Sequence, residues 1–356
     1  MALLVIVALY YGIPEKYSWV RKNACGCWTL FRMELIRGIH NFKPEHQGSV
    51  ATIGNFDGVH KGHQAIIRHV IEQARARNLP SVVIIFEPQP LEYFSGLTNN
   101  NNAQESPAKI NKSPARLMRF REKYLRIKEL GIDRVLCLSF NQKFRQLSAT
   151  EFVEKVLLAG LGIEFLVVGD DFKFGNDRSG NFDYLQKAGA SNGFEVVDTG
   201  TITIDGERVS SSRIRKVLEK SEFQRAEKLL GIPYSISGKV VHGKTLGRKI
   251  GTPTANITLQ RQISPLRGVY IVTWKDVEGC EYNGVANIGT RPTVDGDGEL
   301  LEVHLFECNE NLYRRYAKVT FLEKIRDEEK FENIEVLKQW IDKDKDFARQ
   351  YFEKLK

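Results

Sequence analysis

Cysteine is scarce in this chain and follows no pattern. Cys25, Cys27, Cys137, Cys280 and Cys308 are an odd number without framework spacing. That excludes a disulfide-stapled scaffold and fits reduced thiols in a cytoplasmic protein. Cys25-Gly26-Cys27 has no second pair to complete a tetrahedral metal site. Long hydrophobic runs are missing too. Met1 to Tyr11 is almost wholly apolar, but it is too short to span a bilayer. It also lacks the leading basic residues and the small-residue cleavage site of a signal peptide. No stable membrane association is expected. No basic stripe is interleaved with aromatics, so nucleic acid is not an expected partner despite a formal charge of +8.

What is present describes an ordinary globular protein, 42% hydrophobic and 27% charged, and 356 residues predict two domains. Residues 1–32 carry +3 (Lys16, Arg21, Lys22 and Arg32 against Glu15), which leaves +5 for the rest. Such a surplus suits a binder of polyanionic small molecules.

The first half is organised around Ala51 to His63. An apolar run, Val50 to Ile53, precedes a turn holding Gly54, Gly58 and Gly62. Ile66, Ile67, Val70, Ile71 and Ala74 then recur at helical spacing, and Ser81 to Phe86 reads as a second strand. This is a βαβ unit with its polar residues at the carboxyl end of a strand, where open α/β sheets bind ligands. The glycines let backbone N–H groups approach an anion, and the helix dipole adds to the attraction. His60 and His63, three apart at the helix entrance, can face one anion pocket. Positioned donors of that kind suit charge stabilisation at phosphorus.

Further along, Phe86-Glu87-Pro88-Gln89-Pro90 predicts an extended loop over the strand ends. Ser95 to Pro114, with four consecutive asparagines, predicts a mobile loop. A helix is expected through Arg116 to Leu130, and a capping box at Ser148 to Glu151. The strand Phe165 to Val168 ends in Asp170 and Asp171, a carboxylate pair suited to Mg²⁺ or ribose. Ser210, Ser211 and Ser212 followed by Arg213 and Arg215 read as a phosphate clamp at a helix start, or as a plain helix cap.

After Gly231-Ile232-Pro233 the pattern changes to short alternating runs: Tyr234 to Val241, Gly268 to Trp274, Tyr282 to Asn287, Leu300 to Phe306 and Lys318 to Leu322. These predict a small antiparallel barrel. A closing helix carries an apolar stripe, Ile334, Leu337, Trp340, Ile341, Phe347, Tyr351 and Leu355, expected to pack on the barrel wall. The loop Gly243 to Asn256 is not a Walker A sequence, since no helix follows its GKT. It still concentrates the glycines, cations and hydroxyls of a triphosphate–Mg²⁺ site. In Leu301 to Leu305, strict alternation puts Glu302 and His304 on one face. A carboxylate held there can take a proton from a hydroxyl that attacks a γ-phosphate.

These stretches resemble a known group. Gly54 to His63 fits GxFDGxHxGH, a nucleotidylyltransferase signature. Val209 to Arg215 is similar to ISSTxxR, with Ser212 for threonine, and Gly247 to Asn256 fits GRxxGxPTAN. From Met33 to the C-terminus the chain resembles the prokaryotic bifunctional riboflavin kinase/FAD synthetases. That resemblance implies a Rossmann-like α/β nucleotidylyltransferase domain with a parallel sheet, followed by a small antiparallel β-barrel kinase domain and a C-terminal helix. It implies riboflavin, FMN and ATP as substrates, FAD as product, and Mg²⁺. Nucleotide binding in the first domain would fall to Gly54, Phe56, Asp57, Gly58, Asp171, Ser211, Ser212 and Arg215, with His60 and His63 catalytic. In the second, Glu302 would be the base and Thr254 and Asn256 would hold Mg²⁺, with Asp171 a metal contact in the first domain. Gly243, Lys244, Gly251, Pro253 and Arg326 would contact nucleotide or flavin. Gln89 stands where many relatives carry His. Thr252 stands where Phe is common, a departure expected to lie outside the ligand positions. The expected division is 1–32 as a non-native extension from a mis-called start, 33–218 as adenylyltransferase, 219–232 as linker and 233–356 as kinase. A weak homo-oligomer is compatible with this reading. So are three alternatives: one active half, a different phosphate-ester acceptor, or a binding protein without turnover.

Overall fold

The computed structural model describes residues 20–22, 28–30, 33–101, 113–169, 171–198, 200–242, 252–259, 261, 263–293, 296–308 and 310–355. The chain divides into two compact units. One comprises 1–111 with 123–202, and the other 112–122 with 203–356.

In the first unit, β1 (Val20–Lys22) and β2 (Trp28–Leu30) pair as an antiparallel ribbon. The main sheet has six strands: β3 (Glu34–Arg37), β4 (Ser49–Ile53), β5 (Ser81–Glu87), β6 (Arg134–Ser139), β7 (Ile163–Val168) and β8 (Glu195–Asp198). Their order is β3-β6-β5-β4-β7-β8, and every pairing is parallel. All five residues of β4 are buried, as an inner strand covered on both faces requires. The chain winds from β4 to β5 on one side and returns to β7 on the other, so the carboxyl end of β4 is the switch point of the sheet.

Helix α1 (Lys61–Arg77) follows β4 and buries Ile67, Val70, Ile71 and Ala74 of its predicted stripe, with Ile66 only partly buried. Ile67, Val70 and Ile71 each contribute about 1.5–3 kcal/mol on full burial. Asn78, left-handed at φ 55, caps its end. Helix α2 (Pro90–Asn101) replaces the front of the loop expected from Ser95, while 102–112 lie outside the described residues. Helix α3 (Phe120–Glu129) starts four residues later than its apolar pattern suggests. The Glu122 carboxylate accepts from the Arg119 N–H at 2.7 Å, and the carbonyls of Arg116 and Leu117 are taken by the Arg261 side chain. After the short α4 (Gln142–Arg145), the predicted capping box opens α5 (Ala149–Phe152). Ser148 Oγ accepts from Glu151 N–H, and Glu151 from Ser148 N–H. A π-helical segment, Val153–Leu158, continues it, and α6 (Phe182–Asn192) precedes β8.

The second unit opens with the hairpin β9 (Thr203–Ile204) and β10 (Glu207–Arg208), then α7 (Ser211–Glu219) and α8 (Phe223–Leu230). The stretch expected as a linker is therefore largely helix. Phe223, Ala226, Leu229 and Leu230 enter one hydrophobic core with Tyr270, Trp274 and Phe321. Strands β11 (Ser235–Val241), β12 (Ala255–Thr258), β13 (Gly268–Asp276), β14 (Glu281–Thr293), β15 (Gly296–Leu305) and β16 (Tyr316–Arg326) close a barrel in the order β11-β12-β15-β14-β13-β16. Five of them are the predicted strands. The sixth, β12, carries Asn256. A Cβ on Gly238 of β11 would meet Ile257 Cγ2 at 2.4 Å, so glycine permits that close approach.

Helix α9 (Ile334–Glu353) covers part of the barrel, though not by the whole predicted stripe. Ile334 and Phe347 are exposed, and Leu355 lies exposed beyond its end. Tyr351 of the stripe packs on Val269, Ile271 and Val285, joined by Ala348 and Phe352 from outside it. The inward face is set by Asp344, which is 4% exposed and tied to Arg326.

Candidate active sites

In the first unit the site grows from a strained turn at the end of β4. Gly54 N–H still bonds to Ile84 O at 3.1 Å, extending the strand pairing by one residue. Phe56, Gly58 and Val59 then take left-handed φ values of 46°, 82° and 40°. For Phe56 and the β-branched Val59 this conformation costs about 1–3 kcal/mol each. Burial over-determines it: Phe56 is 2% exposed, Val59 0% and Asp57 3%. Gln64 Nε2 donates to Val59 O at 2.8 Å, and Lys123 Nζ donates to Asn55 O at 2.5 Å.

This turn delivers both histidines to one place. The rings of His60 and His63 stack with centroids 3.6 Å apart and planes 15° from parallel, and Phe56 lies 4.9 Å from His63. His60 is the N-cap of α1, its Nδ1 accepting from His63 N–H at 3.2 Å. That bond fixes the neutral ring as the tautomer with hydrogen on Nε2, a donor. His63 Nδ1 is buried and has no hydrogen-bond partner among the described residues. Desolvation holds the His63 pKa well below the usual imidazole value, and the charges of His60 and Lys123 push it the same way. The pair can therefore present neutral donors to an anion.

Asp171 is exposed beyond the end of β7, the strand hydrogen-bonded to β4, so its loop leaves the sheet on the same edge as the glycine-rich turn. Asp170 lies outside the described residues. Gln89 is 6% exposed, with its amide Nε2 buried and unpartnered among the described residues. Ser211, Ser212 and Arg215 belong to α7 in the second unit. There Ser210, not Ser211 or Ser212, is the N-cap, and Arg215 Nε donates to Ala115 O at 2.5 Å.

In the barrel, alternation on β15 buries Leu301, Val303 and Leu305 in the core and turns Glu302 and His304 outward, as predicted. Glu302 pairs with Asn256 on β12 and with Asn287 on β14. Residues directly opposite on adjacent strands share a face. Glu302, Asn287, Thr254, His304 and Arg326 line one cavity of about 340 Å³, roofed by Leu337 and Ile341 of α9. Thr252 also lines it at 3% exposure, so this departure lies at the cavity and not away from it. Pro253 is exposed, and its carbonyl lies 2.9 Å from His304 Nδ1, which must donate because a carbonyl only accepts. Burial depresses the His304 pKa, and Lys345 and Arg349 add to that. Asn256 is 5% exposed, with Oδ1 buried and unpartnered among the described residues. Arg326 grips Asp344 by Nε at 3.0 Å and Nη2 at 2.9 Å. Burial pushes the Asp344 carboxyl up while Arg326 opposes it. Gly243, Lys244 and Gly251 lie outside the described residues.

Sequence reasoning missed Asn287 and Asp344 as cavity residues. Asn287 could have been found from its position opposite Glu302 once a hairpin register was drawn. Asp344 reads as an ordinary exposed helix carboxylate, and no signal marks it.

Comparison with known proteins agrees with this layout. The FAD synthetase family model matches residues 42–213, and the riboflavin kinase model matches 230–352. A bifunctional riboflavin kinase/FMN adenylyltransferase from Pseudomonas fluorescens is 50% identical over 318 residues, 89% of this chain and 97% of that protein. The Escherichia coli K12 protein of the same name is 47% identical over 90% of this chain and 98% of its own length. A crystal structure from Streptococcus pneumoniae, named as a macrolide-efflux protein, is 29% identical with a TM-score of 0.69, covering 89% of this chain and 99% of that one. Among the described residues no helix is long and apolar enough to cross a membrane. With both family models matched in tandem, and near half identity to relatives over nearly their whole length, the chain belongs to the bifunctional riboflavin kinase/FMN adenylyltransferases.

Proposed function

We propose that each of the two activities is carried by the residues assembled above, with the barrel reaction first. Glu302 takes the proton from the primary hydroxyl of the riboflavin ribityl chain as that oxygen attacks the γ-phosphorus of ATP. The bond to the β,γ-bridging oxygen breaks, and ADP leaves. The observation that carries this reading is that Glu302, Asn287, Thr254 and Arg326 line one cavity, of a size in the usual range for small-molecule sites. Thr254 and Asn256 would hold Mg²⁺. The buried Oδ1 of Asn256, without a partner among the described residues, is the kind of oxygen donor that such a hard cation takes. Bound there, Mg²⁺ would neutralise charge on the transferring phosphate. Gly243, Lys244, Gly251 and Pro253 are assigned to covering the nucleotide.

FMN then attacks the α-phosphorus of a second ATP through a phosphate oxygen, and pyrophosphate leaves. His60 and His63 donate to the oxygens that gain charge, and no covalent intermediate on the protein is needed. Gly54, Phe56, Asp57 and Gly58 shape the nucleotide pocket. Ser211, Ser212 and Arg215 are assigned to the β- and γ-phosphates. Asp171 is assigned to nucleotide or Mg²⁺, which usually takes one or two protein carboxylates. A cytoplasmic location is part of the proposal.

The test is incubation with riboflavin, ATP and Mg²⁺, with the products separated by chromatography. FMN followed by FAD is expected. A half-enzyme would stop at FMN or convert only supplied FMN. A sensor, or an adenylyltransferase for another phosphate ester, would make neither.

A further inference from the structure

We propose that Lys123 is a positioning residue for adenylyl transfer: its buried ammonium holds the Asn55 carbonyl and, through it, the left-handed turn that aims His60 and His63. The inference rests on reading that turn as the site of phosphorus chemistry.

Lys123 lies in the first half of α3 and is 0% exposed, among the largest fully buried side chains described. Ile127, one turn along the same face, is also 0% exposed and is apolar, as helical periodicity asks of that face. A Met or Leu at 123 would fill similar volume without taking an ammonium out of water, which is costly. One contact of that charge is Nζ to Asn55 O at 2.5 Å. Asn55 is the last residue before the left-handed stretch of Phe56, Gly58 and Val59. At the far side of that stretch, Gln64 Nε2 holds Val59 O at 2.8 Å. The turn is thus pinned at both ends by side chains from two different helices. His60 and His63 come directly after it, stacked 3.6 Å apart.

The cation also acts on the imidazoles electrostatically. Burial comes first in disfavouring His63 protonation, and the charge of Lys123, with that of His60 when it is protonated, works the same way. A fixed positive charge beneath the turn keeps His63 a neutral donor while adding to the attraction for a triphosphate.

Three variants of the whole chain test this: Lys123→Met and Lys123→Gln remove the charge, and Lys123→Arg keeps it. For FMN adenylylation, the neutral variants are expected to lower kcat by about 10- to 100-fold. Riboflavin phosphorylation by the same preparations should stay within about twofold, serving as the folding control. The acid limb of the adenylylation pH profile should move up by about half a unit or more, because loss of the cation lets His63 take up a proton more easily. Lys123→Arg should keep the limb in place and recover part of the rate. Wild-type rates in the neutral variants overturn the proposal. So does an equal loss in all three variants with the limb unmoved, and so does failure of all three to fold, since either outcome assigns the cation to the fold alone. If the wild-type chain makes no FAD from FMN, the functional reading fails instead, and these outcomes are separable from that one.

Discussion

Glu302 and Asn256 are direct cross-strand partners on antiparallel strands of the barrel, with Asn287 opposite Glu302 on its other side. A carboxylate and an amide oxygen that has no partner among the described residues are thereby placed on one face by backbone pairing alone. The register fixes that spacing more firmly than a loop could.

Glu302→Gln keeps the size and removes the base. Riboflavin phosphorylation is expected to fall by about 10²- to 10⁴-fold. Supplied FMN should still be converted to FAD at the normal rate. A variant that phosphorylates riboflavin normally removes Glu302 from the mechanism.

Asn256→Leu is expected to separate stability from activity. It removes the 3.4 Å bond from Asn256 Nδ2 to Thr254 O but also the buried Oδ1, which has no partner among the described residues, so unfolding free energy should change by no more than about 1 kcal/mol. The Mg²⁺ concentration for half-maximal kinase activity should rise at least about 10-fold. A normal Mg²⁺ requirement would argue against the cation site.

Asp344→Ala leaves the Arg326 guanidinium without its bidentate partner under α9. With side-chain exposures of 14% and 6%, the pair is nearly buried. Its disruption should therefore cost about 3 kcal/mol in denaturant unfolding, and the KM for riboflavin should rise. Wild-type stability together with wild-type KM would place the pair outside both roles.

The pH dependence of stability provides another test. His63 holds its proton more weakly when folded than when unfolded. As pH falls below the usual imidazole range, the unfolded chain therefore binds more protons, and stability drops through that window while staying flat above it. His63→Phe should flatten this part of the curve in thermal unfolding followed from about pH 7.5 to about pH 5. An unchanged slope would contradict the depressed pKa.

The βαβ unit was legible because its apolar runs are continuous and its helix keeps a clean 3.6-residue period. Five barrel strands were legible from alternation, and Glu302 from its place in one of them. Strand β12 was not, because four residues directly after Pro253 and Thr254 give too short a pattern. The helical pattern breaks in the sequence at Gly231, which is the left-handed C-cap of α8 at φ 78, though the stretch before it reads as a linker. In α9 the inward face is set by an ion pair, so the apolar count along the helix pointed partly to the wrong side. Lys123 is silent in sequence, since a lysine in a charged helix reads as solvated.

The most direct test of the account compares the whole chain with His63→Ala, each supplied with riboflavin, ATP and Mg²⁺, with flavins resolved over time by chromatography. The account predicts FMN and then FAD from the whole chain, and FMN that accumulates without FAD from the variant. FAD made at the normal rate by His63→Ala, or neither flavin product from a folded variant, would contradict it.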